Sequence, residues 1–122
     1  MRVRAARGAI VVSEDTPEAI LSATERLLSH VLARNDVPRA ELISILFTAT
    51  EDLRAAFPAE AARRMGLGRV PLLCAREIPV TGSMSSVVRL LVHFHSDRDL
   101  ADVHHVYLDG AEALRDDFEP LG

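Results

Sequence analysis

The chain has 122 residues, 48% hydrophobic and 26% charged, which fits one ordinary globular domain spanning 1–122 with a modest core. A formal net charge of −4 leaves no basic footprint and argues against nucleic acid as the main partner. No apolar run approaches the ~20 residues that span a bilayer; one cysteine cannot form an internal disulfide, and no signal peptide precedes the first strand-like residues, so a cytoplasmic setting is expected.

Val3 to Val12 reads as a first strand, with Gly8 marking a place where another backbone or a ligand comes close. A long helix follows. Asp15 or Thr16 caps it, Pro17 occupies its first turn and Glu18 complements its dipole. Ile20, Leu21, Thr24, Leu27, Leu28, Val31 and Leu32 recur at helical spacing on one face, and Arg34-Asn35-Asp36 ends the element. Pro38 to Glu41 predicts one short helical turn. Leu42 to Thr48 reads as a second strand, apolar on both faces except at Ser44 and therefore central.

Two short helices are expected next, over Glu51 to Phe57 and over Pro58 to Met65, with Gly66 and Gly68 as the stop. Val70 to Ile78 predicts a third strand ended by Pro79. Thr81-Gly82-Ser83 makes a loop, and Ser86 to His95 a fourth strand. Asp97-Arg98-Asp99 turns the chain into a fifth strand over Val103 to Leu108. Gly110 to Leu114 fits a last helical turn or a strand, before a polar tail over Asp116 to Gly122. Five strands have only one long and two short helices to cover them, and strands two and four are apolar on both faces. A second copy of the same sheet is the expected cover, hence a homo-oligomer.

The residues at odds with simple packing lie between Leu72 and Phe94. Arg89 stands inside Val87-Val88-Arg89-Leu90-Leu91-Val92, where a guanidinium must snorkel, pair or be held for a ligand. Arg7 likewise sits inside an apolar strand. Glu77 is an ion-pair partner for these arginines, or the third member of a receptor for a small hydroxylated dianion. Cys74 reads as a small buried hydrophobe, as a pocket-lining thiol or, with no nucleophile motif around it, far less readily as a catalytic thiolate. Arg63 and Arg115 taken singly read as surface arginines. His93 and His95 share one strand face and His104-His105 are adjacent, but metal sites need three or four ligands and a supporting shell, so no metal is expected.

Several separated motifs then occur in order: Arg4-Ala5-Ala6-Arg7-Gly8-Ala9, Thr48-Ala49-Thr50-Glu51-Asp52-Leu53, Ala56-Phe57-Pro58-Ala59, Cys74 with Glu77, Val80-Thr81-Gly82, Val88-Arg89, His105-Val106-Tyr107-Leu108 and Leu114-Arg115. Together they resemble the monofunctional AroH-class chorismate mutases over nearly the whole chain. The resemblance implies an α+β fold with a mixed five-stranded sheet, assembled as a trimer with a barrel-like core and three active sites in clefts between subunits. It implies the cofactor-free rearrangement of chorismate to prephenate, in aromatic amino-acid biosynthesis. By this analogy Arg89 faces the breaking ether bond, and Glu77 and Cys74 bind the ring hydroxyl. Arg7 and Tyr107 hold the side-chain carboxylate, while Phe57, Ala59, Leu72, Leu73 and Leu114 line the pocket. Arg63 and Arg115 draw in the dianion at its mouth. Glu60 is acidic where some members are basic and receives no role.

Cys74 and Glu77 are an odd number of residues apart and face opposite sides of a regular strand. They share one pocket only if the strand is bulged; otherwise they serve two pockets, each completed by a neighbouring subunit, the arrangement natural to a trimer. Two rival readings are an imine deaminase of the Rid type, whose own motifs are missing, and a non-catalytic trimeric module binding an aromatic-pathway metabolite.

Overall fold

The computed structural model describes residues 1–118, with side chains through Leu114. Five strands form one mixed sheet in the order β3-β2-β4-β1-β5. β1 (Arg2–Val11) and β4 (Val87–Ser96) pair antiparallel along their full lengths, from Arg2 opposite Ser96 to Val11 opposite Val87. β2 (Leu42–Ala49) lies antiparallel on the other side of β4 and carries β3 (Leu72–Arg76) in parallel at its outer edge. β5 (Val106–Leu108) runs parallel to β1 at the opposite edge.

The long helix α1 (Pro17–Arg34) forms as its signals predict. Thr16 is the cap, its side-chain oxygen accepting from the Ala19 amide at 3.2 Å, with Pro17 opening the helix and Arg34 in its last turn. The stripe of Ile20, Leu21, Thr24, Leu27, Leu28 and Val31 is buried against one face of the sheet. From that face Ala6 and Ile10 of β1, Ile45 and Phe47 of β2, and Val88, Leu90, Val92 and Phe94 of β4 complete the core. Gly8 lies where α1 presses on β1: a Cβ there would meet Leu27 Cδ1, Leu90 Cδ1 and Val31 Cγ2, each at 3.1 Å. The close neighbours at Gly8 are therefore side chains of α1 and β4, rather than the backbone or ligand expected there.

The second short helix is present as α2 (Ala59–Arg64), but the first is not. Residues 51–57 form turns and bends, because acidic side chains hold backbone amides that a helix would use. Asp15 Oδ1 accepts from the amides of Arg54 and Ala55 at 2.8 and 3.0 Å, and the Asp52 carboxylate is turned toward Ser86. The third strand is shorter than expected, since the Val70 amide turns back to the Leu67 carbonyl at 3.0 Å. The fifth is also shorter, preceded by a 3₁₀ turn over Leu100–Asp102, and a 3₁₀ helix over Ala111–Phe118 takes the place of a further strand.

The other face of the sheet is only partly covered. Ala111 packs with Ala9 and Val87, joined by Val11, Met84, Tyr107 and Leu114, at the end nearest β5. Beyond that cluster the face lies bare: Val3 is 57%, Leu46 37% and Leu73 61% exposed. The surface expected to be apolar on this side is mixed instead: Leu73, Leu46 and Leu91 form an apolar strip, but Ser44, Thr48, Arg89, His93 and His95 share the face, and no element among the described residues spans it.

Candidate active site

Arg89 belongs to this second face because β4 alternates strictly: Val88, Leu90, Val92 and Phe94 point to α1 and the odd positions point away. Its cross-strand partners are Ala9 on β1 and Thr48 on β2. Ala9 in turn pairs with Tyr107 on β5, and Thr48 with Ala75 on β3. One row therefore crosses all five strands, Ala75–Thr48–Arg89–Ala9–Tyr107, with the guanidinium at its centre flanked by short side chains. Arg7 lies two residues along β1 on the same face.

Arg89 Nε stands 3.5 Å from Glu77 Oε1, with side-chain exposures of 34% and 27% respectively. The Nε itself is buried and makes no hydrogen bond, and neither does the buried Thr48 hydroxyl beside it. Of the three fates open to Arg89, pairing with Glu77 is met only in part. The two residues open onto a cavity of about 340 Å³, bounded also by Thr50, Asp52 and the 78–85 loop.

That loop is held at its far end by a clamp that sequence reading passed over. The Asp52 carboxylate accepts from the Ser86 amide at 3.0 Å and the Ser86 hydroxyl at 2.8 Å. Ser86 adopts a left-handed φ of 59°, costly for a residue with a Cβ, and the clamp holds it there. Hydrogen bonding from the Thr50 side chain first, and from Ser86 next, keeps the Asp52 carboxyl below the usual range despite partial burial. Thr50 Oγ1 also accepts from the Val87 amide at 3.0 Å, fixing the start of β4 two residues before Arg89. The only sequence signal for the clamp was Asp52 itself, within a quoted motif; its partner lies 34 residues away.

Cys74 faces the other way. It pairs with Phe47, packs against the core side of the sheet, and lines a separate cavity of about 570 Å³ with Leu53, Phe57, Pro58 and Arg76. Within one chain Cys74 and Glu77 thus open onto different cavities, with Thr50 bordering both. Phe57 is 74% exposed at the rim of the Cys74 cavity, whereas Ala59 is buried at the start of α2. Arg63 is exposed and donates to Glu60 Oε2 at 2.8 Å. Leu72 packs against the core and Leu73 points to the bare face, so these two neighbours do not share a pocket wall within one chain. Leu114 lies in the small cluster with Tyr107. The side chain of Arg115 and the tail beyond Phe118 lie outside the described residues.

His93 and His95 share the bare face, as their spacing predicts. His93 Nδ1 is 3.1 Å from Ser44 Oγ, and His95 Nδ1 is 3.5 Å from Glu41 Oε2. No group of three His, Cys, Asp or Glu side chains among the described residues could hold a metal ion, and no helix among them is long and apolar enough to cross a membrane.

The chain as a whole has counterparts among known proteins. The family profile described as chorismate mutase type I matches residues 3–118. The chain belongs to that family. A chorismate mutase AroH from Thermus thermophilus is 53% identical over 118 residues, covering 96% of this chain and 97% of the relative. Another, from Bacillus subtilis (strain 168), is 36% identical over 118 residues, covering 96% and 93% respectively. The solved chorismate mutase from Clostridium thermocellum superposes with a TM-score of 0.88 at 44% identity, covering 90% of this chain and 98% of that one. The protein is accordingly a chorismate mutase, an isomerase of aromatic biosynthesis, and neither the deaminase nor the non-catalytic reading is favoured.

Proposed function

We propose that chorismate rearranges to prephenate beside Arg89, in clefts that neighbouring copies of the chain complete within a homotrimer in the cytoplasm. The observation that carries the reading is the Arg89 guanidinium, its Nε 3.5 Å from Glu77 Oε1, at the wall of a cavity. A [3,3] sigmatropic rearrangement needs no nucleophile, proton relay or metal. It needs the substrate held compact so that the reacting carbons meet, and a cation where negative charge grows on the ether oxygen as its C–O bond breaks. A fixed guanidinium interacts more strongly with that developing charge than with the neutral ether of the ground state, so it raises kcat as well as improving binding.

In this reading Glu77 accepts from the ring hydroxyl, and Arg7 and Tyr107 hold the side-chain carboxylate. Leu114 stands near Tyr107 and gives that side an apolar wall. Cys74, with Phe57, Ala59 and Arg63, forms the complementary half. Because Cys74 and Arg89 open onto different cavities in one chain, a cleft between copies joins the Cys74 half of one chain to the Arg89 half of the next. The apolar strip formed across three strands by Leu73, Leu46 and Leu91, with Leu73 and Leu46 exposed, supports such an assembly. Arg63, already paired with Glu60, contributes attraction at the rim and little directed binding.

Loss of chorismate absorbance tests the assignment. Arg89→Ala is expected to lower kcat by at least about 10²–10³-fold, as removal of one preorganised donor does. Arg89→Lys is expected to fail nearly as badly, since a point charge lacks the guanidinium fork. Wild-type turnover in both variants would remove Arg89 from the reaction.

A further inference from the structure

Arg7 sits where β1 loses its second neighbour. β5 pairs with β1 only from Gly8–Val106 to Ile10–Leu108, so no strand flanks the Arg7 amide on that edge. The amide is satisfied instead by a side chain: it donates to Nδ1 of His105 at 3.0 Å. A ring nitrogen that accepts carries no proton, so His105 is neutral, with its proton on Nε2. The segment bearing it is anchored from behind. Asn35, buried at the end of α1, accepts from the His104 amide at 2.8 Å and donates to the His104 carbonyl at 2.9 Å. A continuous path of hydrogen bonds runs from the C-terminus of α1 through the His104 backbone and the His105 ring to the backbone of Arg7.

We propose that neutral His105 is a positioning residue for Arg7, fixing the backbone from which the guanidinium reaches the substrate carboxylate and weakening substrate binding when it is protonated. The proposal rests on the reading of Arg7 as a carboxylate-binding residue. Protonation at Nδ1 replaces an acceptor with a donor aimed at the Arg7 amide, so β1 loses its hold one residue before Gly8. The charged groups acting on the ring are Arg7 from β1 and His104 from its own segment; Ala5, Leu91, Leu100 and Val103 complete the 430 Å³ cavity around it and are apolar. Burial first, then the Arg7 and His104 charges, lower the proton affinity of His105 below that of an ordinary imidazole. The neutral acceptor therefore prevails at neutral pH.

Steady-state kinetics of the full chain between about pH 5 and 8 test this across the range in which an imidazole titrates. His105→Asn is the informative variant, because its side-chain oxygen occupies roughly the place of Nδ1, accepts the same bond and does not titrate. The wild type is expected to show KM rising as pH falls below the ordinary imidazole pKa of about 6.5, with kcat nearly constant. His105→Asn is expected to match wild-type KM at neutral pH and to stay flat on the acid side. His105→Ala is expected to hold KM about tenfold above the neutral-pH wild-type value with little dependence on pH, as permanent loss of one hydrogen bond does. A residue that only packed would leave the pH profile intact, so identical profiles for wild type and His105→Asn overturn the proposal. A wild-type KM that falls with acid also overturns it, since the added cation would then be aiding the substrate. Arg7→Ala separates the two layers. If it leaves KM unchanged, the carboxylate-binding reading fails and this proposal with it. If it raises KM while His105→Asn titrates like wild type, only His105 is at fault.

Discussion

At the scale of single residues, environment decides what each ionisable group can do. Arg89 is held in a row whose other members are Ala75, Thr48, Ala9 and Tyr107, so short side chains on either side leave its charge accessible without letting it fold away. Cys74 has the opposite setting, half-buried and paired with Phe47, in a cavity lined among the described residues by no histidine or carboxylate. On the proposed reading the thiol is a weak hydrogen-bonding group, and Cys74→Ala is expected to change kcat/KM by less than about tenfold; a loss of several orders of magnitude would mark a nucleophile instead. His105 carries a stability signature as well. Its folded-state proton affinity lies below the unfolded value, so the unfolded chain binds more protons between the two. Its contribution is present above the ordinary imidazole pKa of about 6.5 and is lost as pH falls through the lower folded value. Thermal denaturation should therefore show a smaller loss of Tm on acidification for His105→Asn than for the wild type.

At the scale of elements, two contacts set the position of the site. The first is the pressing of α1 on β1 at Gly8. Three side-chain carbons at 3.1 Å come from α1 and β4 together, so a methyl there cannot be absorbed by moving one of them. Gly8→Ala is expected to destabilise the fold by about 1–3 kcal/mol, read as a lower midpoint in urea with an unchanged slope. A neutral result would mean that α1 rides over the added methyl freely. The second contact is the Asp52 clamp on Ser86, which fixes the end of the 78–85 loop against the start of β4. Asp52→Ala leaves Ser86 in a left-handed conformation without its partner. Because the carboxylate is largely solvated, a cost of about 1 kcal/mol in stability is expected. The sharper readout is faster amide exchange confined to residues 78–86, with reduced kcat/KM; exchange unchanged there would show that the loop is held by other means.

For the whole molecule, the asymmetry of the sheet is the dominant fact. One face is closed by α1 and the other by a few residues near Ala111, leaving Val3, Leu46 and Leu73 exposed. An assembly through the apolar strip of Leu73, Leu46 and Leu91, as proposed, would change stability with concentration by mass action. Leu46→Asp places a charge opposite Leu91 in the middle of the strip. It is expected to lower the mass seen by light scattering to that of single chains and to abolish turnover in parallel, while the far-ultraviolet circular dichroism persists. A variant that keeps both assembly and turnover would place the association surface elsewhere.

Much of this was legible without coordinates, and for a physical reason. Helix caps, helical spacing and strand alternation are local, so Thr16, the α1 stripe, the boundaries of β4 and the opposed faces of Cys74 and Glu77 follow from residue order. The bare second face was legible too, because five strands have too few helices to cover both sides; its mixture of leucine, arginine and histidine was not, because alternation had to be read in register across strands. Only the tertiary structure decided what depends on residues far apart meeting. The turns over 51–57 replace a helix because Asp15 and Ser86 reach that segment from distant parts of the chain. The 3.5 Å meeting of Arg89 with Glu77, the single row that brings Tyr107 and Ala75 to either side of that arginine, and the bond from the Arg7 amide to His105 across 98 positions are likewise products of strand register. Periodicity states which way a side chain points. Only pairing states what it points at.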